Sequence, residues 1–266
     1  MKLFVVNVGV NKSDASKRKM KSPIFSDKTF EFIPIKEKKK EIKYCDDSSR
    51  YKSIKCFNNT KKNLAECLPH ELHNYNAHND PDFVNLTYGD GYSSRAGNLK
   101  NVSAGSIILF LARLYDYDSA KEKFLNSSSL YFVSCFEVEA NLEFKKNANP
   151  KVNKAVINNA HYKKLQKGYK GDFRIILGKK SGSWRFKKAI KITEEIAELL
   201  FNGTYDTKTD QFVNGNAIVN NKNEKPRKFE NFAQITRSIQ HFLDDENKDE
   251  KESFKKLLKI IRKHSR

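Results

Sequence analysis

The chain has 266 residues, with 51 Lys and Arg against 32 Asp and Glu, a formal net charge of +19. With 38% apolar residues, 19 Phe and 11 Tyr, it carries enough hydrophobic surface for one large core or a core with a smaller appendage, which excludes disorder along the whole length. The charge excess makes an anion the expected partner, most simply nucleic acid and in particular DNA, and no run approaches the ~18 apolar residues of a membrane helix.

A soluble, intracellular, cytoplasmic protein without a membrane partner is therefore expected. Cys45, Cys56, Cys67 and Cys135 fit neither a CxxC zinc spacing nor a dense disulfide scaffold. They read as free thiols in a reducing compartment.

In chain order, Met1 to Val8 reads as a strand rather than a secretory leader, because Asn7 interrupts the apolar run and no cleavage site follows. Ser22 to Asp27 reads as a turn. Phe30, Phe32 and Pro34 alternate and predict a strand ending at the proline. Lys36 to Lys43 is charge-dense and expected to be exposed. Residues 44–76 lack a period and predict irregular chain with short helical pieces. Residues 106–114 and 130–138 read as buried strands joined by a polar connection, Tyr115 to Ser129. Two further strands are predicted at 172–178 and 184–192. Thr193 then opens a helix as its N-cap, with Glu194 and Glu195 in the first turn and Gly203 near the stop. Phe232, Ile235, Ile239 and Phe242 keep helical spacing, as do Phe254, Leu257, Leu258 and Ile261.

The densest chemistry lies at His78-Asn79-Asp80-Pro81-Asp82-Phe83, followed by Thr87-Tyr88-Gly89-Asp90-Gly91 and Arg95. Carboxylates, an imidazole, glycines and an arginine next to a rigid strand mark a candidate site. His70, His73, His78, Asp80 and Asp82 are metal-ligand types, but the segment is rich in Pro and Asn and holds no HExxH spacing. No metal ligand set is assigned, and any cofactor is unknown. A second polar segment, Asn158-Asn159-Ala160-His161, offers an imidazole that could move a proton or meet a phosphate. Gly178 to Ser183 lacks the first glycine of a nucleotide-triphosphate loop. It reads either as a lysine-rich backbone grip or as a plain hairpin turn. Glu143-Phe144-Lys145 with Pro81-Asp82 would suit a metal-dependent nuclease, a match short enough to arise by chance.

Five phrases taken together resemble a known family: Ser22 to Phe25 with Phe30 to Ile35; Asp80-Pro81-Asp82-Phe83 with Thr87-Tyr88-Gly89-Asp90; Gly105 to Phe110; Tyr131 to Val138; and Asn159-Ala160-His161. In this order they look like the nucleotide modification associated domain 3 family of DNA base hypermodification proteins, over roughly residues 1–195. The strand pair also resembles the PUA-like superfamily, although Ser106 and Ser134 stand where that pattern favours an acid and a glycine.

The resemblance implies an α+β fold: a mixed, largely antiparallel PUA-like β-barrel (1–195), flanked by helices and followed by a basic helical extension (196–266). It also implies recognition or processing of a modified base in a polar pocket. Asp80, Asp82, Asp90 and His161 are then the candidate catalytic groups, should the protein be an enzyme, which the sequence leaves open. Tyr88 and Trp184 are candidates to stack on a base, Asn159 to read its edge, and Arg95, Lys163, Lys179, Lys180 and Arg185 to hold phosphates. An RNA-binding PUA-like module without catalysis is the alternative, beside the nuclease.

Overall fold

A computed structural model describes residues 1–10, 15–16, 19–91, 97–145, 153–206, 211–213, 236 and 238–264. Its centre is a strand buried on both faces. β4 (Ile107–Asp118) is flanked by β1 (Lys2–Asn7) in parallel and by β5 (Lys123–Phe144) in antiparallel pairing. That position explains its continuous apolar run, Ile107 to Ala112, every residue of which is buried. β2 (Ser22–Ile24) pairs in parallel with the far half of β4, so the segment expected as a turn is a short strand. Its proline sits at an edge, where a missing N–H costs no ladder bond.

β5 is 22 residues long and organises the rest. Its second half pairs with β6 (Phe173–Gly178) and then with β7 (Trp184–Lys191). β6 in turn pairs with β3 (Thr87–Gly91). The eight-stranded sheet runs β10-β1-β4-β5-β6-β3, with β2 on β4 and β7 on β5, and is mostly antiparallel. Its path ends at different strands, β10 and β3, so the sheet is open and not closed into a barrel. β6 and β7 lie end to end along one edge of β5, so 179–183 interrupts a broken strand and is not a hairpin turn.

The polar stretch 115–129 is not a connection either. β4 and β5 continue into it and pair Tyr115 with Ser128 and Tyr117 with Phe124. Edge-on contacts of Tyr117 with Phe25 and Phe124, at 5.7 and 5.1 Å, hold this outer ladder.

Residues 30–35 form no strand beyond one bridge between Ile24 and Phe30. Side chains satisfy backbone there instead: Ser22 Oγ accepts from Ile33 N, and Tyr51 OH donates to Pro34 O. Residues 39–72 hold five short 3₁₀ turns, as the missing period suggested.

Helix α1 (Ala160–Gln166) begins at Asn159, whose side chain accepts from His161 N. Helix α2 (Glu194–Phe201) is capped by Thr193, whose Oγ1 accepts from Ile196 N at 3.3 Å, and it stops at Asn202 in the left-handed region. β8 (Thr204–Asp206) pairs with β9 (Gln211–Val213) in a separate two-stranded sheet. β10 (Gln240–Asp244) takes the free edge of β1. Helix α3 (Lys251–Lys263) buries Phe254, Leu257 and Ile261.

Phe242 therefore lies in a strand, not in the helix its spacing predicted. Gln240 and Phe242, two apart, are both buried in the strand, and the otherwise unpaired edge of β1 decides the pairing. Phe232, Ile235 and Arg95 lie outside the described residues.

The main core joins the sheet to α2 and α3 around Phe110, Phe132 and Phe136, all fully buried. Each such ring contributes about 1.5–3 kcal/mol through burial. A second cluster around Tyr51 and Leu64 underlies the 3₁₀ turns, and a third around Phe144, Tyr162 and Phe173 seats α1. No described helix is long and apolar enough to cross a membrane.

Candidate functional site

The two polar segments, separate in sequence, meet in space. Asp80 is fixed first. Its Oδ1 and Oδ2 accept from Gly89 N at 2.9 and 3.1 Å, and its Oδ1 from Asn159 Nδ2 at 3.0 Å. Asn159 also donates to Thr87 Oγ1 and caps α1, so one buried carboxamide ties helix, strand and loop together. The capped helix directs His161 Nε2 to 3.6 Å from Asp80 Oδ2. The His161 ring stacks on Phe173 and meets the His78 ring edge-on at 4.7 Å. Gly89 makes this approach possible: a Cβ there would lie 2.8 Å from His161 Cδ2. Asp90 joins the group; burial first, and Asp80 second, raise its carboxyl above the usual range against the opposing effect of His161.

Behind these groups stands an ionic network that the sequence reading missed. Lys164, one turn beyond His161 on α1, lies 2.7 Å from both Glu37 Oε2 and Glu41 Oε2 and 3.3 Å from His78 Nδ1. Glu37 Oε2 also sits 3.0 Å from His78 Nδ1. Burial works to raise the Glu37 carboxyl, but hydrogen bonds and charge from His78 and Lys164 outweigh it and hold it at about 2. For Lys164, burial acts downward and the two carboxylates overcome it, so its pKa is raised. Residues 38–40, 42 and 43 are exposed as expected, but Glu37 and Glu41 between them are buried. The available signal was two glutamates four residues apart among lysines, a spacing that puts both on one side of a turn.

A cavity of about 310 Å³ opens beside this network. Glu37, Tyr44, Asp46, Asn79, Asn158 and Lys163 are among its lining residues, with Lys164 at its inner wall. The volume lies at the small end of ligand sites, and the walls carry carboxamide, hydroxyl and ionic groups over an apolar base.

The remaining candidates lie elsewhere or are committed. Asp82 reaches the cavity wall, but its carboxylate accepts from Val84 N, Asn85 N and Asn85 Nδ2 and so ties its own turn. Tyr88 is buried against Phe110 in the core, with no face open to a base. Trp184 is half-buried on the core, its indole nitrogen without a hydrogen-bond partner among the described residues. Arg185 donates to Phe30 O and pairs with Glu31 at 3.3 Å, its guanidinium over the Phe30 and Phe57 rings. Burial lowers its pKa to about 10, and no side is left for a phosphate. Lys179 is exposed and paired with Glu137 at 2.8 Å, and Lys180 is exposed. Glu143 of the nuclease-like phrase pairs with Arg174 and Lys145, at 2.9 and 2.8 Å. The four cysteines are free.

No curated protein and no solved structure matches the chain. A family model does, and it continues past residue 195, where the resemblance read from the sequence stopped, into β10. Matched over residues 2–243, the chain belongs to the nucleotide modification associated domain 3 family.

Proposed function

We propose that this protein works in DNA base modification by binding a nucleotide of the DNA, with its base in the 310 Å³ cavity beside His78, Asp80 and His161. The observation that carries this reading is a 310 Å³ cavity of mixed polar and apolar lining whose wall includes Glu37 and Lys164 of the buried ionic array. Family membership supplies the nucleotide-modification context, and the charge of +19 favours a polyanionic partner. On this reading Asn158 and Asp46 meet the base edge, Tyr44 covers its face, and Lys163 holds a flanking phosphate. Lys179 and Lys180, exposed on the broken strand, extend the electrostatic track. Asp80, Asp90 and His161 do not line the cavity, and on this reading they would act on a bound base through His78, Glu37 and Lys164. The PUA-like reading attaches to the β4–β5 pair and the open sheet beside it.

Fluorescence anisotropy with single-stranded and duplex DNA tests the proposal. Binding should weaken steeply as salt rises, and Lys163→Ala with Asn158→Ala should cost at least tenfold in affinity. Binding equally tight in both variants and insensitive to salt would refute it. RNA preferred over DNA in the same assay would favour the RNA-binding module instead.

A further inference from the structure

The groups around His78 form a pattern that base recognition alone does not require. One ligand atom from each of His78, Asp80 and His161 lies within 4.8 Å of the others. His161 Nε2 and Asp80 Oδ2 are 3.6 Å apart. That is too long for a hydrogen bond, but metal–nitrogen and metal–oxygen bonds of about 2.0–2.2 Å place tetrahedral neighbours roughly 3.4 Å apart. A separation at the 4.8 Å bound would have to close by about 1.4 Å on binding.

The surroundings have the character of an outer ligand sphere. In the tautomer whose Nδ1–H donates to Glu37, His78 presents Nε2 as its lone-pair nitrogen. Backbone from Gly89 and the carboxamide of Asn159 orient Asp80. Phe173 backs the His161 ring. The neighbouring carboxylates are already engaged: Glu37 and Glu41 pair with Lys164, Lys38 also reaches Glu41 at 3.8 Å, and Asp80 faces the His161 imidazole. Two imidazoles and one carboxylate, with no thiolate near them, select a borderline transition ion rather than calcium or magnesium.

We propose that His78, Asp80 and His161 bind one divalent first-row transition-metal ion behind the cavity wall formed by Glu37 and Lys164, with Glu37 fixing the orientation of His78. Three protein ligands leave coordination positions open, so the ion would act as a Lewis acid toward a group that reaches them. The proposal stands apart from the base-binding reading, since its tests need no nucleic acid.

The full chain, stripped of metal with a chelator, is titrated with Co²⁺ alone. Visible absorption should saturate at one Co²⁺ per chain, and paramagnetically shifted proton signals should come from two imidazoles. Glu37→Gln should loosen the ion about 10- to 100-fold, His161→Ala should remove one shifted imidazole, and His70→Ala with His73→Ala should change nothing. A wild-type spectrum lacking shifted imidazole signals overturns the proposal, whatever the variants do. So does unchanged Co²⁺ affinity in a folded His78→Ala, His161→Ala double variant.

Discussion

Two buried cation–carboxylate networks can be compared within this one chain. Arg185 and Glu31 form the first, Lys164 with Glu37 and Glu41 the second. The first is sealed from solvent: Glu31 accepts from Phe57 N and Asn58 N, Arg185 donates to Phe30 O, and two aromatic rings cover the guanidinium, while Arg185 Nε is buried without a partner among the described residues. In the second, the pair continues through His78 toward Asp80 and His161 and borders a cavity. The chemistry is alike and the surroundings differ. A sealed pair fixes loop 30–35 onto β7; an open one holds ionisable groups in place beside a space that a ligand can enter. Burial of charge alone does not mark a site; burial of charge beside a cavity makes a candidate one.

Removing the cations gives the largest effect and tests the comparison directly. Lys164→Met and Arg185→Met should each destabilise the protein by about 3–5 kcal/mol, because each strands buried carboxylates. Chemical denaturation checks this. Only Lys164→Met should also weaken DNA binding per folded molecule. If Arg185→Met weakens it more, the two networks have been assigned the wrong way round.

Gly89→Ala comes next. Its Cβ would press on His161 Cδ2, with Arg174 O at 3.2 Å behind it, so a loss of about 1–3 kcal/mol is expected. The displaced His161 should lower Co²⁺ affinity out of proportion to stability; a pure stability loss would detach His161 from the site.

Acid sharpens the contrast further. The Glu37 carboxyl, at about 2 against an ordinary 4.5, is depressed in the folded state. It therefore contributes stability that is present above pH 4.5 and lost as the pH falls toward 2, an effect of roughly 3 kcal/mol. Glu37→Gln should flatten unfolding free energy between pH 5 and 2.5, and an unchanged pH profile would contradict the network.

The smallest effect is expected outside both networks. Lys179→Ala with Lys180→Ala should leave the unfolding midpoint in place and reduce the logarithmic salt slope of DNA binding by roughly 0.9 per lost phosphate contact. An unaltered slope would remove that loop from the binding track.

Much of this was already legible along the chain. The continuous apolar runs of β1, β4 and β5 and the capped helix after Thr193 follow from local pattern, because burial on both strand faces and a hydroxyl at an N-cap act over a few residues. The segment 78–90 and the Asn159–His161 step stood out by residue type, and their order marked the family. The 3₁₀ segment hid its buried glutamates among lysines, since nothing local shows that Lys164 comes from more than 120 residues away to pair with them. Arg185 and Tyr88 looked available by type and proved sealed, because burial belongs to the packed sheet.

The sequence by itself determined a basic α+β chain, its principal strands, and the residues from which a site could be made. Tertiary structure alone decided that the sheet stays open, that Phe242 completes an edge, and that two imidazoles and a carboxylate come within 4.8 Å of one another. The physical reason is range. Periodicity and capping are settled within a turn or a strand, whereas a cavity, a buried charge pair and a ligand set exist only where distant segments exclude water together.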